Sequence, residues 1–246
     1  MSFAFRRACE LALSGRLEKL HYASIDFGLS ESPMPKSITT YQADPVPDFL
    51  DWELYIGPNP WQPFSTRAYP QTWRRLRGLT FDSDMSIHCA PAAQRGLGLD
   101  ETGPVEIIGN GVRYANGLEI RTARGPYWVK FVGDQGWAGV TAPVTGHARV
   151  VTDPPDWARE PLGPGDVHLP GDDHHHENFL DCIRTRRKCS ADAESHHRAM
   201  SLHMIRGISR VTRAFRWDPE KEIFVGENAE RANRYLRRAY RDPWRI

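Results

Sequence analysis

Eight prolines fall between residues 30 and 82: Pro33, Pro35, Pro45, Pro47, Pro58, Pro60, Pro63 and Pro70. Each removes a backbone N–H and fixes φ, so this density excludes a long helix or a central strand over most of the stretch. One short helix is expected at about 47–55, in PDFLDWELY. The rest should be an ordered loop pinned by Trp52, Trp61 and Trp73. Ordered loops of this length usually line a site. The regular elements of the chain must therefore lie on either side of it.

Before the loop, apolar residues recur at helical spacing in 3–14 (Phe5, Cys9, Leu11, Ala12, Leu13), and Ser14-Gly15 ends the pattern. Residues 17–29 then alternate as a strand. After it, Ser83-Asp84 reads as a helix N-cap for 83–98, with Pro91 expected to break or kink that helix. Residues 104–151 offer four or five strands. Their turn signals are Gly109-Asn110-Gly111, Asn116-Gly117, Gly125-Pro126 and Gly133-Asp134-Gln135-Gly136. Short spacings imply antiparallel hairpins. Residues 173–215 read as two helices, with Phe179, Leu180 and Ile183 on one face of the first. From Trp217 the tail reads as polar and basic. This order predicts one α+β domain over 1–246: an open, mainly antiparallel β-sheet with helices packed on one face, and the Pro/Trp-rich loop inserted at about 30–82.

Charge and composition narrow the function classes. Basic residues number 32 and acidic residues 31, so the net charge is +1. A near-neutral chain exerts little pull on nucleic acid or anionic lipid. No apolar run reaches the ~20 residues of a membrane helix, and the N-terminus lacks a signal-peptide core; a cytoplasmic protein is expected. Cys9, Cys89, Cys182 and Cys189 form no CxxC pair and read as free thiols.

Three groups of residues could carry chemistry. Asp84 and His88 are spaced i, i+4, which on a helix places both on one face, as proton transfer with a hydroxyl requires. As an alternative, Asp84 is only a cap and His88 a surface residue. Seven histidines lie within 168–203 beside Asp172, Asp173 and Glu177. Their types suit a transition metal but their spacing matches no metal motif, so no metal ligand is assigned. The aromatics Trp52, Tyr55, Trp61, Phe64, Tyr69 and Trp73 could stack on sugar rings or simply hold the loop together. No GxGxxG follows a strand, and there is no P-loop, GxSxG or HExxH.

Several long motifs, in order, resemble the C-terminal domain of the Gfo/Idh/MocA oxidoreductases, the glucose–fructose oxidoreductase and inositol dehydrogenase group. They are RRACELALSGRLEKL, DWELYIGPNPWQPF, GVRYANGLEIRT, VKFVGDQGW, HENFLDCIRTRRKCSADAESHHR and the C-terminal FRWDPEKEIFVGENAERANRYLRRAYRDPWRI. The resemblance implies sugar or polyol substrates, a nicotinamide cofactor, and a homo-oligomer formed through the free sheet face. It places Asp84 and His88 on the family's D-x-x-x-H positions, as the catalytic proton-transfer pair. Trp61, His176 and Asn178 are the candidates for substrate contact, from their place in the motifs. Near the site the chain departs from pattern: Cys89 stands for a second His, Pro91 for an Asp, Arg95 for a Trp and Ser86 for a Gly. The Rossmann domain, with its Gly-rich loop and catalytic Lys, has no counterpart in these motifs, so no cofactor-binding residue is assigned. NAD or NADP is expected only if a separate domain or chain supplies its site. The expected function is the sugar or polyol domain of an oxidoreductase in truncated, split or non-redox form. The alternatives are a carbohydrate lyase or hydrolase using Asp84 and His88, with or without a metal, and a non-catalytic binding or assembly module.

Overall fold

The computed structural model describes residues 3–26, 43–66, 86–141, 147–170, 175–237 and 239–244. Asp84, Trp73 and the 83–84 cap signal lie outside them.

The first helix, α1 (Phe3–Leu13), leads into β1 (Leu20–Ile25). Next come α2 (Trp52–Ile56) and α3 (Ser86–Gly96). Six strands then follow: β2 (Glu106–Ile108), β3 (Gly111–Arg113), β4 (Glu119–Thr122), β5 (Tyr127–Gly133), β6 (Gly136–Thr141) and β7 (Val150–Asp153). The chain continues through α4 (His175–Thr185) and α5 (Ala193–Thr212) to β8 (Arg216–Asp218), β9 (Ile223–Val225) and α6 (Ala229–Asn233).

The described strands form one nine-stranded sheet in the order β7-β6-β5-β1-β4-β3-β2-β8-β9. Every neighbouring pair is antiparallel except β1 with β4. The open, mainly antiparallel α+β architecture expected from the sequence is thus present. Two details differ. Gly125-Pro126 does not close a hairpin, because β1 lies between β4 and β5 and pairs with both. The segment after Trp217 is not simply a polar tail. Trp217 and Phe224 face each other across β8 and β9, with ring centroids 5.0 Å apart, and extend the sheet by two strands.

Strand alternation sorts the residues between two faces. In register across six strands, Ala138, Phe131, Ala23, Ile120, Val112 and Ile107 form a buried row. On this face α1 packs against β5, β6 and β7, α3 against β1 and β5, and α5 against β2 and β3. The alternate row runs Trp137, Val132, Tyr22, Glu119, Arg113, Glu106 and Arg216. It is laced by ion pairs: Glu119 accepts from Arg121 at 2.6 Å and from Arg113 at 2.9 Å, and Arg113 reaches Glu106 at 2.5 Å. The Arg121 guanidinium sits 4.0 Å over the Tyr22 ring, and the Lys130 ammonium 4.0 Å over Trp137. The helices therefore cover one face, and charged and aromatic side chains cover the other.

The helix α3 runs through Pro91 without a break. Pro91 costs the bond its N–H would have made to the Ile87 carbonyl, and that position lies only one turn into the helix. Packing on both sides holds the helix together: Cys89, Ala90, Ala92 and Ala93 are buried. The fully buried Gln94 accepts from the Tyr114 hydroxyl at 3.3 Å. Asp192 caps α5, accepting from the backbone N–H groups of Glu194 and Ser195 at 3.1 and 3.2 Å.

Within 44–66 the helix is shorter and later than its sequence suggests. Asp51 caps it, accepting from Leu54 N at 2.8 Å, and Gly57-Pro58 ends it. Trp52, Ile56 and Phe64 form a second small core, apart from the main one. Trp52 donates its indole N–H to the Gln62 carbonyl at 2.8 Å, so it does pin the loop. Residues 241–244 close on the same unit. Arg241 donates to the Asn59 carbonyl at 2.9 Å and pairs with Glu53, to which the Trp244 indole also donates.

Candidate functional site

His88 lies on the first turn of α3 with its side chain exposed. Its ring centroid is 6.0 Å from that of Trp128 on β5, tilted by 39°. Trp128 is half-buried and meets Phe5 of α1 edge to face at 5.9 Å. The next residue of α3, Cys89, turns inward, with its thiol 3.7 Å from the Asp26 carbonyl. Burial, with the nearby Asp26 carboxylate adding to it, pushes the Cys89 thiol up to about 12. Asp26 follows β1 directly; its N–H donates to the Trp128 carbonyl at 3.2 Å and its carboxylate accepts from Gly125 N at 3.0 Å. Three elements thus meet around His88 and Cys89: the start of α3, the end of β1 and the start of β5. An exposed imidazole beside an indole, with a carboxylate at the adjoining strand end, can exchange a proton with a bound hydroxyl. Asp84, the expected partner of His88, lies outside the described residues.

The other candidates sit elsewhere in the fold. Trp61 is exposed in the 44–66 segment, with the Arg241 guanidinium 5.5 Å from its ring. His176 is exposed on the first turn of α4. Asn178, two residues on, is half-buried and accepts from the Ser190 backbone N–H at 3.2 Å and the Ser190 hydroxyl at 3.1 Å. Its carbonyl therefore holds the loop that leads into α5. Arg95 ties the same loop to α3, donating to the Ser190 carbonyl and the Asp100 carboxylate, each at 2.7 Å.

The histidines of 168–203 are dispersed among separate partners. His168 contacts the Gly163 carbonyl at 3.0 Å, His196 the Asp192 carbonyl at 3.1 Å and His197 the Glu222 carboxylate at 2.6 Å. His203 is buried, and desolvation with the adjacent Arg206 pushes it down to about 4. Among the described residues no three His, Cys, Asp or Glu side chains gather as a metal centre would need. All four cysteines are free thiols.

Sequence reasoning missed Trp128 as the neighbour of His88 and Asp26 as the neighbour of Cys89. Trp128 reads as one more residue of a strand, and Asp26 as a strand end. Only the insertion of β1 beside β5 brings them to α3.

Residues 160–246 match the family described as "Oxidoreductase family, C-terminal alpha/beta domain". The match covers about the last third of the chain, which is similar there to the Gfo/Idh/MocA oxidoreductases. No curated protein sequence matches the chain. Among solved structures it is similar to the aldose-aldose oxidoreductase of Caulobacter crescentus, in a complex with glycerol, at 14% identity and a TM-score of 0.46. The overlap covers 86% of this chain and 61% of that one. It is similar also to a protein of Erwinia carotovora atroseptica SCRI1043 named as an oxidoreductase, at 14% identity and a TM-score of 0.41, covering 83% and 60%. The chain thus spans about three fifths of the length of each. Overlaps of this size leave the fold to be argued from the chain's own strands and helices.

Proposed function

We propose that these residues form the substrate domain of a sugar or polyol oxidoreductase, in which His88 exchanges a proton with a substrate hydroxyl. The observation that carries the reading is the exposed His88 ring beside Trp128, near the start of β5, in a chain whose C-terminal segment matches the oxidoreductase family. The indole offers an apolar surface to the C–H face of a sugar ring, and the imidazole is the titratable group within reach of its hydroxyls. Asp84, four residues before His88 in the sequence, is the expected partner that orients the imidazole. Trp61 and His176 remain candidates for contact with more distant parts of the substrate.

The residues of this chain do not fit a nicotinamide nucleotide. The sequence has no Gly-rich loop between a strand and a helix. The one parallel pair among the described strands, β1 with β4, is a pair in a mixed sheet and not a βαβ nucleotide fold. A hydride acceptor would have to be presented by another domain or chain. The charged, aromatic sheet face, with the Arg121–Glu119–Arg113–Glu106 ladder, supports its reading as a surface between copies of the chain. Free thiols throughout suit a reducing compartment and hence the cytoplasm.

Ligand-observed NMR with a panel of hexoses and inositols tests this reading. At least one polyol should show saturation transfer, and His88→Ala should abolish it while leaving the unfolding transition unchanged. Equal transfer to the parent and the His88→Ala chain would overturn the role of His88.

A further inference from the structure

The helix α4 has its amphipathic faces reversed. Asn178 and Cys182, four residues apart, face the body of the protein, where Asn178 holds Ser190 and the Cys182 thiol donates to the Lys188 carbonyl at 3.4 Å. The apolar stripe faces water: Phe179 is 58% exposed, Leu180 54% and Ile183 48%. The sequence places these three on one face, as found, but the structure leaves that face uncovered. Three large apolar side chains in adjacent turns make a contiguous patch of the kind that marks a contact surface. The end of the helix beside the stripe is basic. Residues 175–190 hold Arg184, Arg186, Arg187 and Lys188 against Glu177 and Asp181, a balance of 4 − 2 = +2.

The 44–66 segment has the opposite character. It contains Asp44, Asp48, Asp51 and Glu53 and no Lys or Arg, a charge of −4. Arg241 and Asp242 of the tail that packs against it cancel each other. Its own small core is filled by Trp52, Ile56 and Phe64, yet Phe49 is 80% exposed, Leu54 63% and Trp61 59%. An acidic surface with exposed aromatic and aliphatic side chains complements a basic surface with an exposed aliphatic and aromatic stripe. Both stay exposed among the described residues of one copy.

We propose that the acidic 44–66 segment of one copy docks on the stripe of α4 in a second copy. Phe49 and Leu54 meet Phe179, Leu180 and Ile183, and Asp48 faces Arg186 and Arg187, since Glu53 pairs with Arg241, Arg184 with Asp181 and Lys188 with Glu101. Each copy carries both surfaces, so a two-fold dimer makes the contact twice. Apolar burial supplies the affinity, and the opposed charges set register and partner choice. This surface is distinct from the sheet face, and the proposal does not depend on the substrate reading.

The test is the mass of the full chain in solution, by light scattering and sedimentation at micromolar concentration. Phe49→Asp and Leu180→Asp should each lower the mass of the assembly at least twofold. Mixing the two variants should restore association, because one keeps α4 intact and the other keeps the acidic segment intact. Asp48→Lys and Arg187→Glu should each weaken association, and the double variant should recover it. Raised salt should weaken the parent assembly. Circular dichroism and the urea midpoint report the fold of each variant; if either unfolds, Leu54→Asp and Phe179→Asp take their place. A monomeric parent chain, or variants that keep the parent mass, would overturn the proposal and assign the stripe to a different occupant. So would a mixture no heavier than its components.

Discussion

Gly96, the last residue of α3, lies directly on the ring of Phe131 in β5. A Cβ added at Gly96 would fall 2.3 Å from the Phe131 ring, well inside contact distance. The absence of a side chain sets how closely α3 approaches the sheet, and α3 carries His88 at its other end. Gly96→Ala should therefore push the helix and the ring apart, with a cost of about 1–3 kcal/mol typical of overpacking. Urea unfolding of the variant measures this. Phe131→Leu in the same chain should recover part of the loss, because the shorter side chain gives the new methyl room.

His203 makes the stability of the fold depend on pH. Burial and Arg206 hold it at about 4, against an ordinary value of 6.5. The native state therefore keeps it neutral over a range in which the unfolded chain binds a proton. The stability it contributes is complete above about pH 6.5 and is lost as pH falls from there towards 4. The loss is on the order of 3 kcal/mol. Urea midpoints measured from pH 7 to pH 4.5 should fall steadily in the parent chain. In His203→Gln the fall over that window should be much smaller.

Glu119 acts at lower pH. Burial alone would raise its carboxyl, but hydrogen bonds and charge from Arg121 and Arg113 outweigh that and hold it below the usual range. Its contribution is present above the ordinary value of 4.5 and is lost as pH falls through the lowered folded value. Glu119→Gln should reduce stability at neutral pH by about 1 kcal/mol. It should also flatten the acid limb below about pH 4, where the loss from His203 is largely complete. Thermal unfolding in acetate and glycine buffers separates the two windows.

The thiols should divide by burial. Cys9 and Cys89 are both pushed up to about 12, chiefly by burial. At pH 8 neither forms an appreciable thiolate, the species that attacks a disulfide reagent. Titration of the native chain with such a reagent should leave Cys9 and Cys89 unmodified, and both should react once urea unfolds the protein. Peptide mapping of the labelled chain identifies the sites. Fast native modification of Cys89 would mean that the start of α3 opens from the sheet.

Much of the fold was legible because its signals are local. Alternation in VKFV and GWAGV places Val129, Phe131, Ala138 and Val140 on one face, and Asn116-Gly117 marks a hairpin that forms. What the sequence hid is non-local. Nothing in Leu20–Ile25 says that β1 inserts between β4 and β5, so the meaning of Gly125-Pro126 was misread. Trp217 and Phe224 are isolated aromatics in a polar stretch, and only their pairing across two short strands makes them core. Periodicity correctly grouped Phe179, Leu180 and Ile183, but it carries no information on whether a grouped face meets the core or water. The candidate site was legible only at His88; Trp128 beside it and Asp26 beside Cys89 come from other parts of the chain.

The central claim is that this chain holds the substrate and not the nucleotide. Calorimetric titration of the 246 residues with NAD(H), NADP(H) and the polyol selected by NMR addresses it directly. The account predicts heat of binding from the polyol, lost in His88→Ala, and none from either nucleotide alone. Saturable nucleotide binding in the absence of polyol, insensitive to His88→Ala, would contradict it.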